Sequence, residues 1–181
     1  MKKLLIFPLL LCAICLSGQK LGTKTGEATF FSEAILENIE AHNHKVKCVI
    51  DFESGEVSVS MLMSGFKFEK ALMEQHFNEN YVESSKYPKA IFNGNIINLP
   101  ELNLKQAGEY TLVIEGTLTL HGVSKKIKEE CKMLVDKEQA KLNCEFILKP
   151  SDFNIAIPAL LKDNISENIK VSLHFDDIKR I

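Results

Sequence analysis

Between residues 25 and 176 apolar and polar side chains alternate along most of the chain, the period-two signature of strands with one buried face. Val46, Cys48, Ile50 and Phe52 alternate with Lys47, Val49, Asp51 and Glu53. The longest run carries Tyr110, Leu112, Ile114, Gly116, Leu118 and Leu120 at every second position. The pattern predicts eight strands, at 25–31, 45–53, 56–68, 89–99, 109–120, 123–135, 140–149 and 168–176. Ser54-Gly55 turns the second strand into the third, and His121-Gly122 turns the fifth into the sixth. In the third strand Val57, Val59, Met61 and Met63 share a face. After Ser64-Gly65 the apolar phase moves to Phe66 and Phe68, as a β-bulge would make it. Leu142, Cys144, Phe146 and Leu148 face inward from the seventh strand, and Ile169, Val171, Leu173 and Phe175 from the eighth.

Three segments break the alternation. Ser32 is a candidate N-cap for a short helix over 33–40, with Ile35 and Ile39 on one side. A second helix is predicted over 69–80, between the third and fourth strands, with Leu72, Met73, His76 and Phe77 at helical spacing. Residues 150–167 are irregular yet carry Phe153, Ile155, Ile157, Pro158, Leu160 and Leu161. The fold class is therefore all-β. Eight mainly antiparallel strands joined in sequence suit a closed, lipocalin-like up-and-down barrel, because closure removes the exposed edges of an open sheet. A barrel of that size holds packed side chains or one small ligand.

The chain of 181 residues is long enough for one core in one domain. Its start, Met1-Lys2-Lys3, then apolar residues 4–16, then Ser17-Gly18 before Gln19-Lys20, has the order of a secretory signal peptide. Residues 1–18 are expected to be removed on export, by cleavage after Ser17 or Gly18, leaving 19–181 as the barrel domain in a periplasmic or secreted protein. The apolar run is too short for a membrane span, and no longer one follows. Without Lys2 and Lys3 there remain 20 basic and 24 acidic side chains, a net charge of −4. One arginine, Arg180, and no tryptophan leave neither a basic stripe nor a stacking platform, which excludes nucleic-acid binding. Cys12 and Cys15 depart with the leader, and lipidation there is disfavoured by the preceding Leu11 and Ile14. Of the remaining Cys48, Cys131 and Cys144, the last two face each other if Lys137-Glu138 forms a hairpin turn, either as a cross-strand disulfide or as two small buried thiols.

The stretch SGFKFEKALMEQHFNENY at 64–81, followed by KYPKAIFNG at 86–94 and GTLTLHGVSK at 116–125, resembles the paired motifs of the YceI-like family. The motifs stand in the family's order, and the strand-helix-strand layout matches over nearly the whole chain after the leader. The resemblance implies an extended lipocalin-like barrel exported to the periplasm or beyond. It also implies binding of polyisoprenoid or fatty-acid-like molecules, no catalysis, and room for a homodimer.

Side chains suited to line such a tunnel are Ile50, Phe52, Val59, Met61, Phe66, Phe92, Leu112, Ile114 and Phe146, with Met73 and Phe77 from the helix and Ile157 from the long loop. Tyr81, Asn93 and Tyr110 are candidates for holding a head group at the mouth. The same alternation would equally fill a solid core. His42 and His44 would point the same way in a strand, but the helix expected just before them places them in a loop, and spacing supplies no third metal ligand. His76 reads as a partly buried helix residue, and His121 and His174 as structural or solvated. No nucleophile motif or glycine-rich phosphate loop is present. Glu129-Glu130 and Asp176-Asp177 read as surface charge, since strand neighbours point to opposite faces. The expected activity is sequestration or carriage of a hydrophobic ligand, without cofactor or metal. The alternatives are a non-binding structural or stress-related envelope protein, or a metal- or haem-linked redox partner using His42, His44 or His76.

Overall fold

The computed structural model describes residues 20–101, 106–136 and 140–181. The expected leader at 1–18 and the turn at Lys137-Glu138 lie outside the described residues. Eight long antiparallel strands form the wall: β1 (Lys20–Ser32), β2 (Ile39–Asp51), β3 (Glu56–Leu62), β5 (Lys89–Ile96), β6 (Gly108–Leu120), β7 (Val123–Val135), β8 (Ala140–Leu148) and β9 (Ile169–Arg180), with a two-residue β4 (Lys67–Phe68) paired to the start of β2. Each long strand pairs with the next, and β1 pairs with both β2 and β9, so the sheet closes into the expected barrel. Two register shifts interrupt the β1–β2 ladder around Gly26, where the Phe175 ring lies so near that a Cβ would stand 2.3 Å from it. Only glycine permits that approach.

The helix between the third and fourth long strands is present as α1 (Ala71–His76), running on into a wider turn at Phe77–Tyr81. Two local expectations are corrected. Residues 33–40 form no helix: Ile35 and Leu36 are 85% and 69% exposed, and Ile39 already belongs to β2. Ser32 caps nothing. Its buried hydroxyl accepts the Ser166 N–H at 2.9 Å and ties the long loop to the end of β1. The third strand stops at Leu62, and its change of phase is a 3-10 turn at Met63–Gly65, not a bulge. Wholly buried Asn43 explains the stop, because its side-chain amide donates to the Leu62 carbonyl at 2.9 Å and takes the place of a ladder bond.

The barrel is packed at one end. Phe175, Ile50, Leu112, Met133, Leu142 and Ile178 are among the largest fully buried side chains, and all lie toward the end where β6 and β8 begin and β7 and β9 finish. Val46 and Cys48 complete that floor, and burial pushes the Cys48 thiol up to about 12. The opposite end is framed by α1, the 33–38 bend and the loop after β8.

Cys131 and Cys144 form a disulfide across directly opposed positions of β7 and β8, with a Cα separation of 4.4 Å that suits a pair not bridged by ladder bonds. It joins residues 13 apart in sequence, and for a loop of that order chain-entropy reasoning gives roughly 3 kcal/mol. Replacing both cysteines by serine should lower the unfolding free energy in urea by about 2–4 kcal/mol with the β-rich circular dichroism retained. In protein lacking residues 1–18, thiol titration without reductant should find one group, Cys48, and only after unfolding; a second titratable thiol would contradict the bridge.

Candidate ligand-binding site

The open half of the barrel encloses a cavity of about 360 Å³. Its wall comes from the period-two inner faces: Ala28 and Phe30 from β1, Met61 from β3, Ala90 from β5, Leu118 and Leu120 from β6, Phe146 and Leu148 from β8, and Ile169 and Val171 from β9. The turn after β3, the helix and the long loop add Met63, Phe66, Met73, Phe77, Ile155, Ile157, Leu161 and Ile165. On one side four phenylalanines interlock. Phe30 lies 5.4 Å, centroid to centroid, from each of Phe66, Phe68 and Phe77, and Phe68 and Phe77 are 5.1 Å apart. Such tilted and offset contacts make a wall that is stiffer than its buried area alone implies.

The rim is polar. Glu37, His76, Tyr81 and Asn164 reach the cavity, and burial pushes the Tyr81 phenol above its usual pKa. The rim elements are held by specific contacts. Lys70 pairs with Glu37, which raises the lysine's pKa, and joins the helix start to the 33–38 bend. Lys67 pairs with Glu74 and holds that carboxyl below the usual range. The Leu36 N–H donates to the Asp163 carbonyl at 2.9 Å and connects the bend with the long loop.

A second cavity of about 70 Å³ lies deeper, lined by Val57, Val59, Phe92, Ile114, Ile127, Glu129, Leu173, Phe175 and the disulfide, among others. Met61, Ala90, Leu118 and Phe146 border both chambers. The geometry sorts the residues expected to line a tunnel. Met61, Phe66, Met73, Phe77, Phe146 and Ile157 line the large chamber, while Val59, Phe92 and Ile114 line the small one. Ile50 and Leu112 are instead sealed in the packed floor, and Phe52 packs against the core just past the end of β2. Of the candidate head-group residues only Tyr81 borders the cavity. Asn93 is exposed on the outer wall, accepting from Ser58 at 2.9 Å, and Tyr110 stands toward the packed end with its hydroxyl donating to the Gln106 carbonyl. Phe30 escaped the sequence reading although Ala28, Phe30 and Ser32 keep the inward phase of β1.

His42 and His44 lie in β2, which starts at Ile39 with no helix before it, and not in the expected loop, so as strand neighbours two apart they share a face. They stand on the outer wall beside Glu27, 3.2 Å and 3.5 Å from its carboxylate oxygens, away from both chambers. Among the described residues no group of three or more His, Cys, Asp or Glu side chains is arranged to hold a metal ion. No described helix is long and apolar enough to cross a membrane.

A YceI-like domain model matches residues 20–176. The chain belongs to the YceI-like family. No curated protein matches it. Among solved structures, the YceI-like barrel is similar to a polyisoprenoid-binding domain from Saccharophagus degradans implicated in plant cell wall breakdown, at 14% identity over 91% of this chain and 100% of that one, with a TM-score of 0.78. It is also similar to BcnA of Burkholderia cenocepacia, at 15% identity over 82% of this chain and 94% of that one, TM-score 0.68. The Campylobacter jejuni YCEI protein matches at 18% identity over 81% of this chain and 88% of that one, TM-score 0.61.

The geometry also gives the two YceI-like motifs a shared structural task. His121 and Gly122 both adopt positive φ, 50° and 74°, which turns β6 into β7 in two residues. The His121 ring, nearly buried, donates through Nδ1 to the Phe153 carbonyl at 3.0 Å and meets the Glu83 carboxylate through Nε2 at 2.8 Å. Its edge packs on Tyr87, centroids 4.6 Å apart. One side chain therefore joins the β6–β7 turn, the segment after the helix and the loop that follows β8. His121→Ala should cost about 1–3 kcal/mol by leaving the Phe153 carbonyl without its donor. Gln in the same place should recover part of it. Urea melts of the three proteins check the order, and equal stabilities would remove His121 from this structural task.

Proposed function

We propose that this YceI-like protein binds a long aliphatic or amphiphilic molecule inside its barrel and sequesters or carries it in the cell envelope, without catalysing its conversion. The observation that carries this reading is the apolar chamber of about 360 Å³ at one end of a barrel whose other end is packed solid. That volume falls in the range of small-molecule sites, about 300–1,000 Å³. Each methylene transferred there from water contributes roughly 0.8 kcal/mol, so an aliphatic chain binds without any charged contact. Met61, Met63 and Met73 in the wall suit a ligand of irregular shape, since the thioether side chain adapts to what it meets. The description of the S. degradans neighbour as polyisoprenoid-binding supports an isoprenoid or acyl chain as the cargo. Export to the periplasm or beyond is supported by the leader-like order of residues 1–18 and by the disulfide, which persists in oxidising compartments.

Native mass spectrometry of protein purified from its own host is expected to show one bound acyl or isoprenoid chain, released on denaturation. After delipidation the protein should take up a long-chain amphiphile. Ala90→Phe, which fills the junction of the two chambers, should weaken that uptake at least ten-fold, at an overpacking cost of about 1–3 kcal/mol in stability. Protein that is bare when isolated and stays bare when offered such molecules would overturn the reading.

A further inference from the structure

Among the described residues, Glu129 is the one ionisable group in the wall of the small chamber. Its direction is fixed by register. It stands opposite buried Ile114 in the β6–β7 ladder, and directly opposed residues of antiparallel strands share a face. It also keeps phase with buried Cys131 and Met133, whereas its neighbour Glu130 is exposed. The surface charge expected of the Glu129-Glu130 pair therefore holds for Glu130 only. Burial raises the Glu129 carboxyl's pKa, and no described donor or cation offsets that burial.

The wall changes beside this carboxylate. β7 and β8 are paired from Val135↔Ala140 to Cys131↔Cys144, and there the ladder ends. Beyond the disulfide, Glu129 and Phe146 face the small chamber from two strands that no ladder bond joins. One polar spot thus lies at the inner end of a double chamber whose other polar side chains stand toward the rim. An unpartnered inward carboxylate lowers the stability of an empty barrel, a cost that a donor on a ligand offsets.

We propose that Glu129 is the acceptor for the polar end of the ligand, and that this end carries a hydrogen-bond donor, as a hydroxyl, amide or ammonium group does, and not an anion. The inference rests on the reading of the barrel as a carrier. It places the head group innermost, with the hydrocarbon tail running past Phe146 and Leu118 toward the rim.

The test uses delipidated protein and three probes with the same sixteen-carbon chain: hexadecanol, hexadecylamine and palmitate. Wild-type protein should bind the alcohol and the amine at least ten-fold more tightly than palmitate. Glu129→Leu should remove that preference and raise the melting temperature of the empty protein. Glu129→Gln, nearly isosteric, should retain more alcohol than amine binding, since its carbonyl still accepts a hydrogen bond. If no probe binds wild-type protein, the carrier reading falls and this inference with it. If all three bind, and their order is the same in wild type and both variants, Glu129 alone is overturned and the carrier reading stands; so too if palmitate is preferred.

Discussion

A sheet of eight antiparallel strands has two raw edges unless its first strand is hydrogen-bonded on both sides, and β1 is, to β2 along one edge and β9 along the other. The glycine at position 26 makes this closure tight enough to seat the Phe175 ring against the bulged backbone. Once the sheet is closed, every second side chain of each long strand is committed to a shared interior. Whether that interior is solid or hollow then depends only on which side chains meet at each level. At the level of Phe175, Met133, Leu142 and Ile50 they fill the space; at the level of Ala28, Ala90 and Leu118 they do not.

The strands were legible because a period of two survives along most of their length, and the turns because Ser54-Gly55 and His121-Gly122 mark them. The 33–40 segment misled for a physical reason: Ile35 and Ile39 are four apart, as on a helix face, yet one is exposed in a bend and the other begins a strand. Ile50 and Leu112 show why a tunnel lining is harder to read than a barrel. Their alternation is the same as that of Met61 and Phe146, and only their height along the axis separates floor from chamber. Glu129 shows the reverse. Counting back in twos from Cys131 and Met133 puts it inside, but two adjacent glutamates resemble a solvated surface, and composition outweighed phase.

The residues that shape the rim come from segments far apart in sequence. Ser32 holds Ser166, Lys70 holds Glu37, and His121 reaches both Glu83 and the carbonyl of Phe153. None of these side chains belongs to the apolar alternation, which is why the pattern that reveals the wall is silent about the mouth. The family motifs are in part the trace of this lacing: the helix-bearing motif and the His-Gly turn meet in space at His121.

The position of the disulfide has a mechanical consequence. It is the last rung of the β7–β8 ladder, with intact hydrogen-bonded rungs on the floor side and parted strands on the chamber side. A covalent link placed there works as the stop of a zip. Any separation of the two strands beyond that rung is stopped at Cys131 and Cys144, ahead of the pairs from Lys132↔Asn143 to Val135↔Ala140. The bridge thus divides the β7–β8 seam into a stretch held by backbone pairing and a stretch that is not, and the covalent bond stands where the two meet.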